Sequence, residues 1–482
     1  MLIGLELMSE RVAGSSSDGL RAYVLAEVSL LIRKFLEELR ARAFVRAVGV
    51  LVGGAGLAAA ISALALPVLT RLYTPGDFSV LAVFTSLLSI FSVSACLRFD
   101  VAVAIPEKDG DAINVLGLAL LCACAVSLML FLAIFAVPSS VFRWFGQPDI
   151  ERHLWLLPIG VLFVSAYSAL QFWFVRGKSF GLIAKNRIVQ TAGAAGVQAG
   201  WGWLHATPFG LVVGPVLNGA VGCCGLGCRF VRGVKTFEAL SWSGMRAMFS
   251  QYHRFPKYSA LEALCNVAAI QLPIVMIAAM AAHAEAGFLL LALTVMQAPM
   301  SILGSAIAQV YLSQAPAEYR LGRLGDFTVQ VCGSLIRTGI GPLIFGGVLA
   351  PDLAAKVFGE EWRRAGTLMA WMTPWFAMQF LASPVSMALH VTNQQRFALL
   401  LQIFGLVLRV GAVVVVPAVL LSEAYAVSGL LFYGTYLVVV LMVVHSSWSG
   451  VARELLSSSK VVCIWAVLAL GVKVGAAAFS LL

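Results

Sequence analysis

The sequence predicts an all-α, polytopic membrane protein, and three observations carry that prediction. Of its 482 residues, 60% are hydrophobic and only 12% charged, against roughly 45–50% and 25% in a soluble domain. A water-soluble chain of this length needs far more polar surface to enclose its core, so the surplus apolar surface must face lipid. The apolar stretches continue for about twenty residues without strict alternation, the length of a spanning helix and not of a barrel strand. An unpaired backbone group in hydrocarbon costs several kcal/mol, which leaves helices and closed barrels as the only spanning structures.

The elements follow in order. Residues 1–45 form an N-terminal arm of different composition. SSSDG reads as irregular, and LRAYVLAEVSLLIRKFLEELRARAFVR as a basic amphipathic helix lying on a membrane surface, with an overlong translated start as the equal alternative. Its apolar core is broken by Glu27, Arg33, Lys34, Glu37 and Glu38, which excludes a signal peptide. Thirteen candidate spans follow, near 46–66, 78–98, 112–137, 153–175, 182–204, 208–229, 258–280, 286–312, 327–350, 367–390, 398–421, 424–446 and 460–481. Between the first two lies TRLYTPGDF (70–78). Thr74 is a helix N-cap, Pro75 suits the first helical position, and Asp77 sits beside the positive end of the helix dipole, so the segment reads as a tight helix-to-helix turn.

The short connections make neighbouring helices antiparallel. Most of the 33 Lys and Arg residues then fall on alternate segments: the N-terminal arm, Arg98 and Lys108, the 176–187 stretch, the 229–257 stretch, Arg320 and Arg323, Arg396, and Arg453 with Lys460. By the positive-inside rule these lie in the cytoplasm with the N-terminus, and TRLYTPGDF lies outside. This bias accounts for the net charge of +10 without a nucleic-acid partner. The longest inner loop, 230–257, divides the chain into a first set of six spans (46–229), a second set (258–446), and a C-terminal segment (447–482) carrying a thirteenth span. Aligning DFSVLAVFTSLLSI (77–90) with GFLLLALTVMQAPMSI (287–302) sets Phe78 over Phe288, Leu81 over Leu291 and Ala82 over Ala292, a weak internal repeat. Paired halves are a common transporter design, with the substrate path at their interface.

Several spans carry polar residues at helical spacing. These are Thr85, Ser89, Ser92 and Cys96, ending at Arg98; Arg187, Thr191, Ala194 and Gln198; Ser259, Glu262, Asn266 and Ala269; and Gln297, Ser301, Ser305 and Gln309. In a membrane such stripes face a bundle interior or a water-filled cavity, or hydrogen-bond between closely packed helices. Arg337 and Arg409 stand about ten residues into their spans, near mid-membrane at a rise of ~1.5 Å per residue. A cation there costs at least about 2.5–3.5 kcal/mol unless it meets water or a partner. Either an ion pair with Glu262 or Asp100 offsets that cost, or the guanidinium forks face an aqueous cavity and bind an anionic substrate. Glu262, with Asn266 and Gln271 nearby, also suits a proton or cation site. Lys473 snorkels.

No phosphate-cradling Gly-x-x-x-x-Gly-Lys loop, nucleophile elbow, zinc-type His pair or EF-hand loop occurs. The nine cysteines lie in or at the ends of apolar runs, where Cys acts as a small hydrophobe. The sequence therefore indicates no catalytic residue, metal or cofactor. The loop PDLAAKVFGEEWRRAG (351–366) is the one candidate for membrane-embedded catalysis.

The stretch LPVLTRLYTPGDFSVLAVFTSLLSIFSVSACLRFDVAVAIPEKDGDAINVLGLAL (66–120) resembles the N-terminal region of polysaccharide-biosynthesis flippases. These are the lipid-linked oligosaccharide exporters of the multidrug/oligosaccharidyl-lipid/polysaccharide superfamily. The stretches 255–280, 297–315 and 357–386 look like the same family, so the resemblance covers about 45–450 in order. Ser79 stands where the family usually has Gly, and Phe99 and Asp100 replace a more usual Tyr and Glu. The resemblance implies two six-helix lobes around a central cavity. It also implies movement of a polyprenyl-pyrophosphate-linked sugar from the inner to the outer leaflet of a bacterial cytoplasmic membrane. Glycan polymerase and chain-length machinery are candidate partners beside membrane lipid. On this reading Arg98, Arg187, Arg337 and Arg409 supply positive potential, and Glu262, Asn266 and Gln297 line the same cavity. Two alternatives stay open: a drug or cation antiporter of the same superfamily, which favours acidic cavity residues, and a glycan polymerase or ligase.

Overall fold

Helices form wherever the apolar runs demand them. The computed structural model describes residues 49–50, 53–138, 146–233, 239–281, 284–392 and 394–479. The N-terminal arm over 1–45, with its expected surface helix, lies outside the described residues. Among the described residues from Gly53 onward stand thirteen long helices or helix pairs, one for each candidate span. The first six are α1 (Gly53–Leu72), α2 (Pro75–Ala95), α3 (Asp109–Ala136), α4 (Leu156–Arg176), α5 (Phe180–Leu204) and α6 (Pro208–Gly233). A short amphipathic helix, α7 (Trp242–Gln251), occupies the expected 230–257 loop and packs on α3. The second set is α8 (Ala260–Met280), α9 (Glu285–Arg320), α10 (Leu324–Leu335) continued through a π-turn into α11 (Gly341–Phe358), α12 (Arg363–Val385), α13 (Gln395–Val415) and α14 (Leu421–Val443). The terminal helix α15 (Trp448–Phe479) starts twelve residues before the expected 460–481 span.

Ten of the described helices are long and apolar enough to cross a membrane. Helices α5 and α12 have the length but are less apolar, and the apolar stretch of α9 among the described residues, Glu285–Ala298, is shorter. Helix α12 buries much of its surface against other helices, so lipid does not dictate its composition.

Two lobes result. In the first, α4 packs on α3, α6 and α2, and α5 packs on α6. In the second, α12 packs on α9, α11 and α14, while α13 packs on α8 and α14. Helix α2 joins them by lying against both α8 and α9. Its approach to α9 is close because Gly287 has no side chain: a methyl group there would collide with the Pro75 carbonyl. Helix α15 stands outside the six-plus-six arrangement and packs along α11, with the Trp465 ring edge-on to Phe345 at 5.7 Å.

The turn at 70–78 has the expected geometry. The Thr74 hydroxyl accepts from the Asp77 amide at 3.2 Å, and an Asp77 carboxylate oxygen accepts from the Thr74 amide at 2.8 Å. This reciprocal capping box, with Pro75 at the start of α2, fixes the entry of the helix.

Candidate functional site

Where the two lobes meet, two adjoining clefts of about 350 and 440 Å³ open side by side. They share Ser62, Thr85, Leu290 and Thr294 on their walls. Gln271 and Gln297 add polar groups to the smaller cleft, and Ser89, Thr191, Gln198 and Asn218 to the larger. The polar stripes of α2 and α5 therefore face this space, through Thr85 and Ser89 in one case and Thr191, Ala194 and Gln198 in the other. Of the α9 stripe, Gln297 lines the smaller cleft, whereas the side chains of Ser301, Ser305 and Gln309 lie outside the described residues. No charged residue is among the lining groups of either cleft.

Helix periodicity places two charged residues in line with this space. Ile270 and Ile274 line the smaller cleft. Asn266 and Glu262, one and two turns earlier on the same face of α8, are exposed and extend that face toward the start of the helix. Arg187 likewise precedes Thr191 by one turn on α5 and is exposed. Helices α5 and α8 both run toward the end of the molecule that carries the 70–78 turn. Arg187 and Glu262 thus stand at the opposite end of the passage.

The 70–78 end is closed by contacts between distant parts of the chain. Trp362 is 1% exposed. Its indole N–H donates to the Thr70 carbonyl at 3.1 Å, and its ring meets Phe78 edge-on at 4.8 Å and Phe288 at 5.9 Å. The two aromatic residues aligned by the weak internal repeat are thus partners of one tryptophan. Beside them the Gly287 amide donates to the Ser79 hydroxyl at 2.8 Å, so the serine that departs from the family pattern joins α2 to α9. Arg71 donates to the Lys356 carbonyl at 3.2 Å. Behind this layer, Arg364 bridges two carboxylates that begin two other helices, Glu285 at 2.8 Å and Glu423 at 2.7 Å. In the adjoining loop a hydrogen bond from Arg363 holds the Glu360 carboxyl below the ordinary glutamate range.

The remaining sequence-selected charges lie elsewhere. Arg337 does not pair with Glu262 or Asp100: it sits in the π-turn Ile336–Ile340 and donates to Glu454 of α15 at 2.9 Å. That partner lies on the thirteenth helix, so the ion pair fastens α15 to α10 and does not face the clefts. Arg409 is 3% exposed and stacked among Phe432 at 4.6 Å, Trp375 at 5.7 Å and Tyr433 at 5.7 Å. It too is absent from the walls of these two clefts, so the expected wet chamber faced by both arginines has no counterpart in either of them. Arg98 is half-buried in a left-handed conformation (φ 62°) ahead of the short helix Phe99–Ala102. Asp100 is 6% exposed and accepts from the Ser168 hydroxyl at 2.7 Å. Of the sequence-selected residues, Gln297 lines the smaller cleft, Asn266, Glu262 and Arg187 lie on helix faces that continue from cleft-lining residues, and Arg98, Arg337 and Arg409 are absent from the walls of both clefts. Sequence reading missed Trp362, Thr294 and Ser62; the Phe78/Phe288 alignment was the one signal pointing toward the first.

Comparison with known proteins follows the same lines. The sequence model of one family, described as polysaccharide biosynthesis protein, matches residues 68–365. A comparison with curated proteins returned no match. Among solved structures, the lipid II flippase MurJ in an inward closed conformation superposes with a TM-score of 0.62 at 9% identity, covering 87% of this chain and 98% of that one. An inward-facing multidrug resistance MATE family transporter of the MOP superfamily gives a TM-score of 0.57 at 14% identity, covering 83% and 93%. At these identities the likeness is one of fold: a polytopic, two-lobed transporter fold.

Proposed function

The chain belongs to the polysaccharide biosynthesis protein family, and from that premise we propose that it is a flippase for a polyprenyl-pyrophosphate-linked oligosaccharide. It carries the glycan headgroup from the inner to the outer leaflet of a bacterial cytoplasmic membrane by alternating access of its two lobes. The N-terminus is cytoplasmic, and the 70–78 turn and Trp362 form the outer end.

The observation that carries this reading is the pair of uncharged clefts between the lobes, whose largely apolar walls are interrupted by hydroxyl and amide groups. A headgroup bearing pyrophosphate and sugars cannot cross about 30 Å of hydrocarbon unaided. Thr85, Thr191 and Thr294 on the walls donate to carbonyls of their own helices, and Gln198 to Leu211, so with Gln297 they offer oxygens that accept from sugar hydroxyls without fixing a charge. Arg187 at the inner mouth offers a guanidinium to phosphate, and the lipid tail stays in the bilayer between the lobes. The described state has its outer end sealed by Trp362, in keeping with the inward conformations named for the two similar transporters.

The absence of a carboxylate among the cleft-lining residues disfavours a cation antiporter. In the 351–366 loop, Glu360, Arg363 and Arg364 are engaged in ion pairs, which gives no support to a polymerase site there. The test is export of the glycan in cells lacking their own flippase, with Thr191→Val, Thr294→Val and Gln297→Met combined. Export should fall at least tenfold at equal membrane abundance. Unchanged export would remove the passage from the mechanism.

A further inference from the structure

We propose that the second lobe contains a binding site for a small monovalent anion of the chloride class, built on Arg409 and Trp375 and separate from the glycan passage. Arg409 stands on α13, 3% exposed, and no carboxylate pairs with it among the described residues. Its guanidinium cannot shed a proton to become neutral. The surrounding rings of Phe432, Trp375 and Tyr433 offer cation–π attraction. These contacts are weaker than the penalty for taking an unpaired cation out of water.

The unmet groups share one chemistry. Arg409 Nε, Arg409 Nη2 and Trp375 Nε1 are all buried donors without an acceptor. Over 90% of buried polar groups find partners in folded proteins, so three orphan donors in one aromatic cluster are a specific demand for an acceptor. A water molecule could satisfy N–H groups but leaves the charge uncompensated. A small anion answers both needs.

The surroundings are built closely around this cluster. Phe432 lies against Gly405, one turn before Arg409, and Trp375 against Gly429; a methyl group on either glycine would collide with the ring. Both rings are almost fully buried, at 4% exposure for Trp375 and 3% for Phe432. This close, ring-walled setting favours a small monovalent anion over a bulky phosphate ester.

The test uses the full-length protein in neutral lipid nanodiscs, with chloride, bromide or gluconate at matched ionic strength, and inorganic pyrophosphate as a further arm. Chloride and bromide should raise the unfolding midpoint saturably above that in gluconate, as expected for a ligand that binds only the folded state. Trp375→Phe keeps the ring and removes one donor, and should weaken the halide effect about tenfold. Arg409→Met should abolish it, and bromide should give an anomalous scattering peak beside the guanidinium of the unsubstituted protein. Equal midpoints in chloride and gluconate would overturn the proposal, as would a halide effect that survives both substitutions. So would stabilisation by pyrophosphate alone. Should Arg409→Met fail to fold, Trp375→Phe and the bromide peak decide. Glycan export is read separately, so failure here leaves the flippase reading standing.

Discussion

Replacing Trp362 with alanine should unlock the 70–78 end of the passage. Two contacts of this side chain reach the first lobe: the hydrogen bond to the Thr70 carbonyl at 3.1 Å and the edge contact with Phe78 at 4.8 Å. The contact with Phe288 stays within the second lobe and survives separation of the two. A buried hydrogen bond contributes about 1 kcal/mol net, and an aromatic edge pair roughly another 1 kcal/mol beyond its area. Their loss weakens the sealed state by about 2 kcal/mol relative to the open one, a shift of roughly 30-fold in the population of the open state. Trp362→Phe retains the edge contact and loses only the N–H donor, which predicts about a fivefold shift. The readout is the rate at which a membrane-impermeant maleimide, added on the Trp362 side, modifies Thr85→Cys, a position on the wall of both clefts. The background has the nine native cysteines replaced. The predicted order is alanine fastest, phenylalanine intermediate and tryptophan slowest. Equal rates for all three, in protein that remains folded, would show that Trp362 does not seal the passage.

Two further outcomes follow from the charge pairs. Arg364→Met leaves the carboxylates of Glu285 and Glu423 facing each other without their cation. Because the arginine side chain is 32% exposed, the cost is discounted to about 2 kcal/mol, read as a lower unfolding temperature in detergent. Glu454→Met alone should lower the amount of folded protein by stranding the Arg337 guanidinium, whereas Arg337→Met with Glu454→Met should restore it and leave glycan export unchanged.

Much of the fold was legible because lipid imposes a simple rule on composition. Apolar runs of the right length became helices, and the Thr74-Pro75-Asp77 signal became a capping box, since both depend only on neighbours in sequence. The polar stripe with Thr85 and Ser89 and the one with Thr191 and Gln198 reached the passage for the same reason: helical periodicity fixes which residues share a face. The partners of the buried arginines were not legible. Arg337 finds Glu454 117 residues later, on a helix that the six-plus-six pattern leaves aside. A π-turn at that point also changes which face the side chain occupies, and nothing in local composition announces it. Trp362 escaped notice because its contact with Thr70 spans 292 residues. The Phe78/Phe288 alignment named two sides of that packing without its centre.

The placement of charge along the passage constrains how the proposed transport can work. A fixed guanidinium at mid-passage would hold pyrophosphate tightly and slow its release, since only a difference in affinity between states moves a cargo forward. The described structure instead keeps Arg337 in a pair with Glu454 and Arg409 inside an aromatic cage, and leaves the cleft walls uncharged. Arg187 and Glu262 remain at the mouth opposite Trp362. In the flippase reading, capture is therefore an electrostatic event at the cytoplasmic mouth, and transit depends on hydroxyl and amide groups that sugars can exchange one after another. The seal on the far side relies on an indole ring and on hydrogen bonds between side chains and backbone groups, one of them from the Arg71 guanidinium to the Lys356 carbonyl, so an arriving headgroup has no ion pair among these contacts to break before the lobes separate.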